Sequence, residues 1–175
     1  RANTLDLGLE NTNVEVSEKG FIKVNEMMQT TSDGIYAIGD CVGNYLFRHS
    51  VNFEGEYLFE VLYKKENPEP IKYPFMPHAV FTNPQVACVG PTEEALLSQG
   101  VHLIKGICRY SDCAMGMALR SEEGFVKLLF EKTSKKLISA HIIGEEASSL
   151  IHILMAFIEK KASLEDLTKM IYIHP

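Results

Sequence analysis

Thr31-Ser32-Asp33-Gly34-Ile35-Tyr36-Ala37-Ile38-Gly39-Asp40 is the stretch on which the reading of this chain turns. Ile35 to Ile38 is apolar throughout, which predicts a short strand buried on both faces. Gly39 ends that strand, and a glycine there lets another backbone or a ligand approach closely. Asp40 follows directly, with a carboxylate able to accept hydrogen bonds from a sugar-like hydroxyl. Ligands on open α/β sheets sit beyond the carboxyl ends of strands, so the carboxylate is well placed for one. On these residues alone, a plain strand followed by a Gly-Asp turn is the other reading.

Working outward, Phe21-Ile22-Lys23-Val24 predicts a second short strand on the N-terminal side. On the C-terminal side helical spacing runs from about Phe47 to Glu66, with Val51, Tyr57, Leu58, Val61 and Leu62 as its apolar stripe. Asn67-Pro68-Glu69-Pro70 stops the helix, because proline cannot donate to the ladder and restricts the residue before it. Pro74 and Pro77 continue an extended linker, which places a domain boundary between residues 1–72 and 73–175.

Beyond the linker, strands and helices alternate. Ala79 to Thr82 and Val86 to Val89 flank Asn83-Pro84. Thr92-Glu93-Glu94-Ala95 has the form of a capped helix start, closed by Gly100. Val101 to Tyr110, Gly124 to Glu131 and Leu137 to Ile143 predict three longer strands, the last two joined as an antiparallel hairpin through Lys132 to Lys136. Glu145 to Lys161 is a helix with apolar residues nearly all round, hence one buried in a core or an interface. Ser163-Leu164-Glu165-Asp166 opens a last helix through a capping-box pattern. The fold class expected is α+β.

Composition excludes several functions. Of 175 residues, 17 are basic and 23 acidic, a net charge of −6, which argues against a nucleic-acid partner that would need a basic face. The longest uncharged run of the apolar C-terminal region, Ala147 to Ile158, is well short of the roughly 20 residues that cross a bilayer. Four cysteines in a chain this long do not suggest a secreted disulfide scaffold, so a cytoplasmic, reducing location is expected. No Cys/His set has a zinc spacing. The chain opens on Arg1 and its first methionine is Met27, which suggests a piece of something larger.

The string from Gln29 to Asp40 resembles the second flavin fingerprint of the pyridine nucleotide–disulfide oxidoreductases. Arg1 to Thr4 with Leu7 to Glu10 is similar to the return from that family's NAD(P) domain into its FAD domain. Leu46-Phe47-Arg48-His49, followed by Glu54-Gly55, has the spacing of the segment that runs under the flavin ring. Phe81 to Gly90 is similar to the opening of the interface domain, which usually carries Glu where this chain has Gln85. His174-Pro175 falls at the family's His-Pro motif. The resemblance covers essentially the whole chain in order. The dihydrolipoamide dehydrogenase branch is the first expectation, and mycothione reductase is the alternative. The fold it implies is the C-terminal portion of a Rossmann-like FAD domain, then an interface domain with an antiparallel sheet and helices.

The resemblance implies that Gly39 and Asp40 serve the ribityl chain of FAD. It also implies that Leu46, Phe47, Arg48 and His49 approach the isoalloxazine mainly through backbone groups. Helix N-terminal amides suit that role, because reduced flavin accumulates negative charge at one edge. His174 would be the general acid/base for a cysteine thiol of a partner subunit, since imidazole exchanges protons near neutral pH. The family normally orients this base with a glutamate beyond the proline. The implied cofactors are FAD and either NAD or NADP, the implied substrate a disulfide or dithiol, and the implied assembly a homodimer. The chain itself has no Gly-x-Gly-x-x-Gly for a dinucleotide pyrophosphate. Cys108 and Cys113 have the C-x4-C spacing of the family's redox pair, but they follow a strand and precede Ala114-Met115-Gly116. They are therefore expected to be partly buried packing residues, as are Cys41 and Cys88. His152 is expected in the core or an interface. A reading from another class is that the isolated chain is a non-catalytic dimerisation module.

Overall fold

A computed structural model describes residues 2–64 and 66–175. The chain divides into two compact units, Arg1–Pro74 and Phe75–Pro175.

The first unit is built from turns and one long helix. Backbone pairing before the helix consists of the isolated bridges Val16–Ile22, Val24–Thr30 and Gln29–Tyr36. Short polar side chains fix the turns between them. Asn25 Oδ1 accepts from the N–H groups of Met27 and Gln29 at 2.9 and 3.1 Å, and Thr31 Oγ1 accepts from Glu15 N–H at 2.8 Å. This is the local chemistry that Asx and ST turns use in place of a ladder. The expected strand Ile35–Ile38 is therefore not a regular strand. It bonds to its own hairpin partner, with Thr30 N–H donating to Ile35 O and Ala37 N–H to Met28 O. It is not buried throughout: Ala37 is in the core, Tyr36 and Ile38 are half-buried, and Ile35 is 39% exposed.

Helix α1 spans Arg48–Tyr63, with Phe47 in extended conformation at its N-cap. It ends ahead of the proline segment, and its fully buried residues are Ser50 and Glu54. The expected apolar stripe is only partly buried, and Leu62 is exposed. The helix turns its most enclosed positions toward a polar network, described below. Val14, Ile22, Met28, Ala37 and Val42 form the apolar core beside it, with Tyr57, Leu58 and Ile71 packed against them.

The second unit is a five-stranded antiparallel sheet with helices. Its elements are β1 (His78–Val80), β2 (Gln85–Val89), α2 (Glu93–Ser98), β3 (Leu103–Arg109), α3 (Ala114–Ala118), β4 (Phe125–Glu131), β5 (Leu137–Gly144), α4 (Ala147–Glu159) and α5 (Leu164–Lys169). The strand order is β1-β2-β5-β4-β3. The β4–β5 hairpin forms as the sequence predicts. The Glu131 carboxylate accepts from Thr133 and Ser134 N–H at 2.8 and 2.6 Å, and the Ser134 side chain, then these amides, hold it down to a pKa of about 2. A register shift after Leu129 pairs Phe130 with Leu137. These two form a second cluster with Ala162 and Leu167.

Both expected caps are present. Thr92 Oγ1 accepts from Ala95 N–H at 3.2 Å, and Ser163 with Asp166 completes a capping box on α5. α4 packs Ala147 and Ile151 onto Ala87, Val89, Ala140 and Ile142 of the sheet. Its start is clamped by Gln85 Oε1, which accepts from Ser148 N–H at 3.1 Å and Ser148 Oγ at 2.8 Å. The helix is not buried all round. Leu150 and Ile153 are 41% and 54% exposed, because within the unit the sheet covers only the opposite side. α3 and the 3-10 turn Tyr110–Asp112 before it carry no apolar period that the sequence reveals.

Candidate cofactor and acid–base site

Gly39, Asp40 and Cys41 form a single 3-10 turn at the end of the Ile35–Ile38 segment. Gly39 has φ +77°, and a Cβ there would stand 2.8 Å from Val51 Cγ2 of α1, so glycine is required on both counts. Its amide is not left to solvent. Gly39 N–H donates to Glu54 Oε2 at 2.6 Å, and Glu54, on α1, is fully buried. The other carboxylate oxygen accepts from the Tyr73 hydroxyl at 2.6 Å, and that hydroxyl accepts from Asn44 Nδ2 at 3.0 Å. Burial, then the bond to Glu54, pushes the Tyr73 phenol well above its ordinary range, so it stays a donor. Glu54 thus pins the turn that presents Asp40. Sequence reasoning named Glu54 only as part of the spacing of the flavin segment and gave it no role of its own; that motif was the available signal.

Asp40 itself is exposed. With Ala2, Asn3, Phe21, Cys41 and Leu46 it lines a cavity of 370 Å³. Burial raises the Cys41 thiol, whose Sγ donates to Ile38 O at 3.2 Å, so it is a packing residue rather than a nucleophile. Phe47, at the N-cap of α1, makes no side-chain cap, and Ser50 Oγ donates back to Phe47 O at 2.7 Å. The rings of Phe47 and His49 stack at 5.1 Å and 10°. Arg48 lines a different cavity, of 710 Å³, with Ile38, Val51 and Gly55. The structure therefore gathers Gly39, Asp40 and Leu46, but the side chain of Arg48 is turned elsewhere.

His174 is exposed in the segment after α5, between Ile173 at 97% exposure and Pro175. Ile171, at 98%, is equally uncovered. His152 is not in a core. It lies exposed on α4, with Nδ1 3.3 Å from Ser149 O. Cys88 and His78 face each other across β1 and β2, with Sγ 2.7 Å from Nε2, a pair that the hairpin register around Asn83-Pro84 would have disclosed. Cys88 is half-buried, as expected. Cys108 and Cys113 are not: both are exposed. Among the described residues no cluster of His, Cys, Asp and Glu could hold a metal ion, and no helix is long and apolar enough to cross a membrane.

Residues 76–175 match the pyridine nucleotide–disulphide oxidoreductase dimerisation domain, and residues 1–65 match the pyridine nucleotide–disulphide oxidoreductase family. Dihydrolipoyl dehydrogenase from Chlorobaculum parvum is 36% identical over 169 residues, covering 97% of this chain and 36% of that protein. Dihydrolipoyl dehydrogenase from Trypanosoma brucei brucei is 35% identical over 176 residues, covering 100% of this chain and 36% of that protein. The chain thus spans little more than a third of the length of these curated relatives.

Two solved structures share its fold. The HOCl-induced flavoprotein disulfide reductase RclA from Escherichia coli superposes with a TM-score of 0.92 at 22% identity, over 100% of this chain and 40% of that one. LpdA from Mycobacterium tuberculosis gives 0.85 at 23% identity, over 99% of this chain and 38% of that one. The α+β architecture is accordingly the C-terminal portion of a Rossmann-like FAD domain followed by an interface domain, and the chain belongs to the pyridine nucleotide–disulphide oxidoreductases.

Proposed function

We propose that this chain is the part of an FAD-dependent disulfide oxidoreductase that holds the sugar-alcohol and ring ends of the flavin and supplies the acid–base histidine. The dihydrolipoyl dehydrogenases it resembles favour NAD(P)H and a lipoyl-type dithiol as the electron partners. The observation that carries the reading is the Gly39–Asp40 turn pinned by buried Glu54, which presents a solvent-facing carboxylate and Leu46 to one cavity. The donor set fits FAD. A carboxylate accepts from polyol hydroxyls, the backbone amides at the start of α1 complement an anionic ring edge, and Gly39 admits no side chain between the turn and the helix. When bound, the flavin would relay electron pairs between a nicotinamide and a disulfide.

The chain's own residues have narrower tasks in this proposal. Asp40 orients a hydroxyl. The start of α1 stabilises negative charge through backbone N–H groups, which leaves the side chains of Phe47, Arg48 and His49 a lesser part. His174 would take a proton from a substrate or cysteine thiol and return it. The uncovered Ile171 and Ile173 beside it support a segment that docks on another subunit. Ile153, on the outer side of α4, supports a homodimer in the same way. Four free thiols suit a reducing, cytoplasmic compartment.

The test is made in the full-length enzyme. His174→Gln should lower kcat for the disulfide half-reaction by about 10²–10⁴, the usual worth of a general acid/base, with the flavin absorbance per chain unchanged. Loss of FAD from that variant would overturn the role given to His174. Asp40→Ala should do the reverse, releasing flavin. If the 175-residue chain alone binds no FAD yet sediments as a dimer, it acts by itself as a dimerisation module.

A further inference from the structure

The end of β3 and the start of α3 bring two thiols together. Cys108 sits one residue before the end of β3, and Cys113 caps α3 after the 3-10 turn Tyr110–Asp112. Their Sγ atoms are 3.5 Å apart, and both residues are exposed. The turn that spaces them is fixed from several directions. Tyr110 N–H donates to Gly124 O at 3.1 Å, Cys113 N–H to Tyr110 O at 3.0 Å, and Tyr110 Oη to Glu145 O at 2.9 Å. Gly116 packs so closely on the Tyr110 carbonyl that a Cβ would overlap it. The sulfurs are thus held near each other by backbone that has little freedom to part them.

Both cysteines also line a cavity of 430 Å³ whose walls include Met115, Leu119, Val126 and Leu150. Among the described residues its only charged lining groups are Glu145 and Glu146, both acidic. A thiol pair at the wall of an apolar cavity with an acidic edge is suited to a small, uncharged molecule that reacts with thiols. Simple packing would have buried both sulfurs, as it half-buries Cys41 and Cys88.

We propose that Cys108 and Cys113 form a thiol–disulfide exchange site, whose oxidant is a small uncharged disulfide bound in this cavity. The step is balanced. The Cys113 thiolate attacks one sulfur of R–S–S–R, the S–S bond breaks, and one R–S⁻ leaves and takes up a proton. Cys108 then attacks the Cys113 sulfur of the mixed disulfide, forms the Cys108–Cys113 bond and expels the second R–S⁻, which takes the Cys108 proton. Two electrons pass from the cysteine pair to the disulfide, and two R–SH are released. Both thiols line the cavity, and Cys113 is taken as the attacking group because its sulfur, and then burial, hold the Cys108 proton above the ordinary thiol range. The site is independent of the flavin reading, because it needs neither cofactor nor a second subunit.

The 175-residue chain tests it directly, since Arg109 lies between the two cysteines and tryptic cleavage separates them. After exposure to 4,4′-dithiodipyridine, peptides 106–109 and 110–120 should be recovered joined, and should part on reduction. Two separate adducts, or two untouched thiols, would overturn the proposal. Cys108→Ser should trap the reagent as a stable adduct on Cys113, whereas Cys113→Ser should react at Cys108 at least about tenfold more slowly. Equal rates for the two variants would overturn the assigned order. With each rate normalised to that of free cysteine, glutathione disulfide, which is anionic, should react about tenfold more slowly than hydroxyethyl disulfide. Equal normalised rates would remove the cavity as the recognition element and with it the substrate class. Both substitutions are at exposed positions, and unchanged far-UV dichroism is the check that the fold is intact.

Discussion

The two units are held together by different means. In Phe75–Pro175, cross-strand register and apolar clusters carry the structure, and polar groups appear mostly as caps at the ends of elements. In Arg1–Pro74 the ladder shrinks to isolated bridges, and a fully buried carboxylate stands where a core leucine would be expected. A sheet spreads its stabilisation over many pairs, so no one residue decides its shape. A turn presented by one carboxylate depends on that carboxylate. The unit that offers the proposed cofactor residues is thus the one whose geometry can be lost by a single polar change.

Peptide-resolved hydrogen exchange and urea unfolding can break that contrast. The largest effect is expected for Phe130→Ala, which empties the cluster with Leu137, Ala162 and Leu167 and should cost about 3–5 kcal/mol in the second unit. Protection in residues 1–74 should not change; a parallel loss there would show that the two units do not stand on separate supports. Glu54→Ala leaves Gly39 N–H and Tyr73 Oη without their acceptor and should cost about 2–4 kcal/mol, confined to the first unit. Glu54→Gln should cost less, because its amide oxygen still serves one donor. If Gln and Ala behave alike, the charge rather than the bond count holds the turn.

Gly39→Ala comes next, at about 2 kcal/mol, from a left-handed backbone and a Cβ pressed against Val51. The smallest effect concerns pH. Glu131 is bonded by two amides in the folded hairpin and titrates there at about 2, below its ordinary value of 4.5. Its contribution is complete above pH 4.5 and is lost as the pH falls from there toward 2. Exchange protection at residues 132–136 should fall over that interval, and Glu131→Gln should remove the dependence.

Much of the second unit was legible because its signals are local. The polar Lys132–Lys136 run announces a hairpin, while Thr92 and Ser163 announce helix starts that the structure caps as expected. The first unit was harder. Ile35 to Ile38 has the composition of a buried strand, yet the neighbours that decide its burial are turns formed by Asn25, Thr30 and Thr31, whose side-chain bonds are not periodic. Asp40 was singled out from a motif. What holds it in place, Glu54 and Tyr73, lies 14 and more residues away, and although a motif includes Glu54, nothing local says that its carboxylate reaches back to Gly39. Cys108 and Cys113 were misjudged for a related reason. Their flanks describe a strand end, but β3 is an edge strand exposed from Lys105 to Arg109, and the unanticipated turn after it leaves Cys113 exposed as well.

The clamp that seats α4 on the first hairpin has one further consequence. Gln85 reaches Ser148 through an amide oxygen, a group with no proton to gain in acid or lose in base. A carboxylate in that place would slacken as it became protonated. Here the joint is indifferent to acidity, so falling pH undoes the hairpin tip at Glu131 while the long helix stays seated on its sheet.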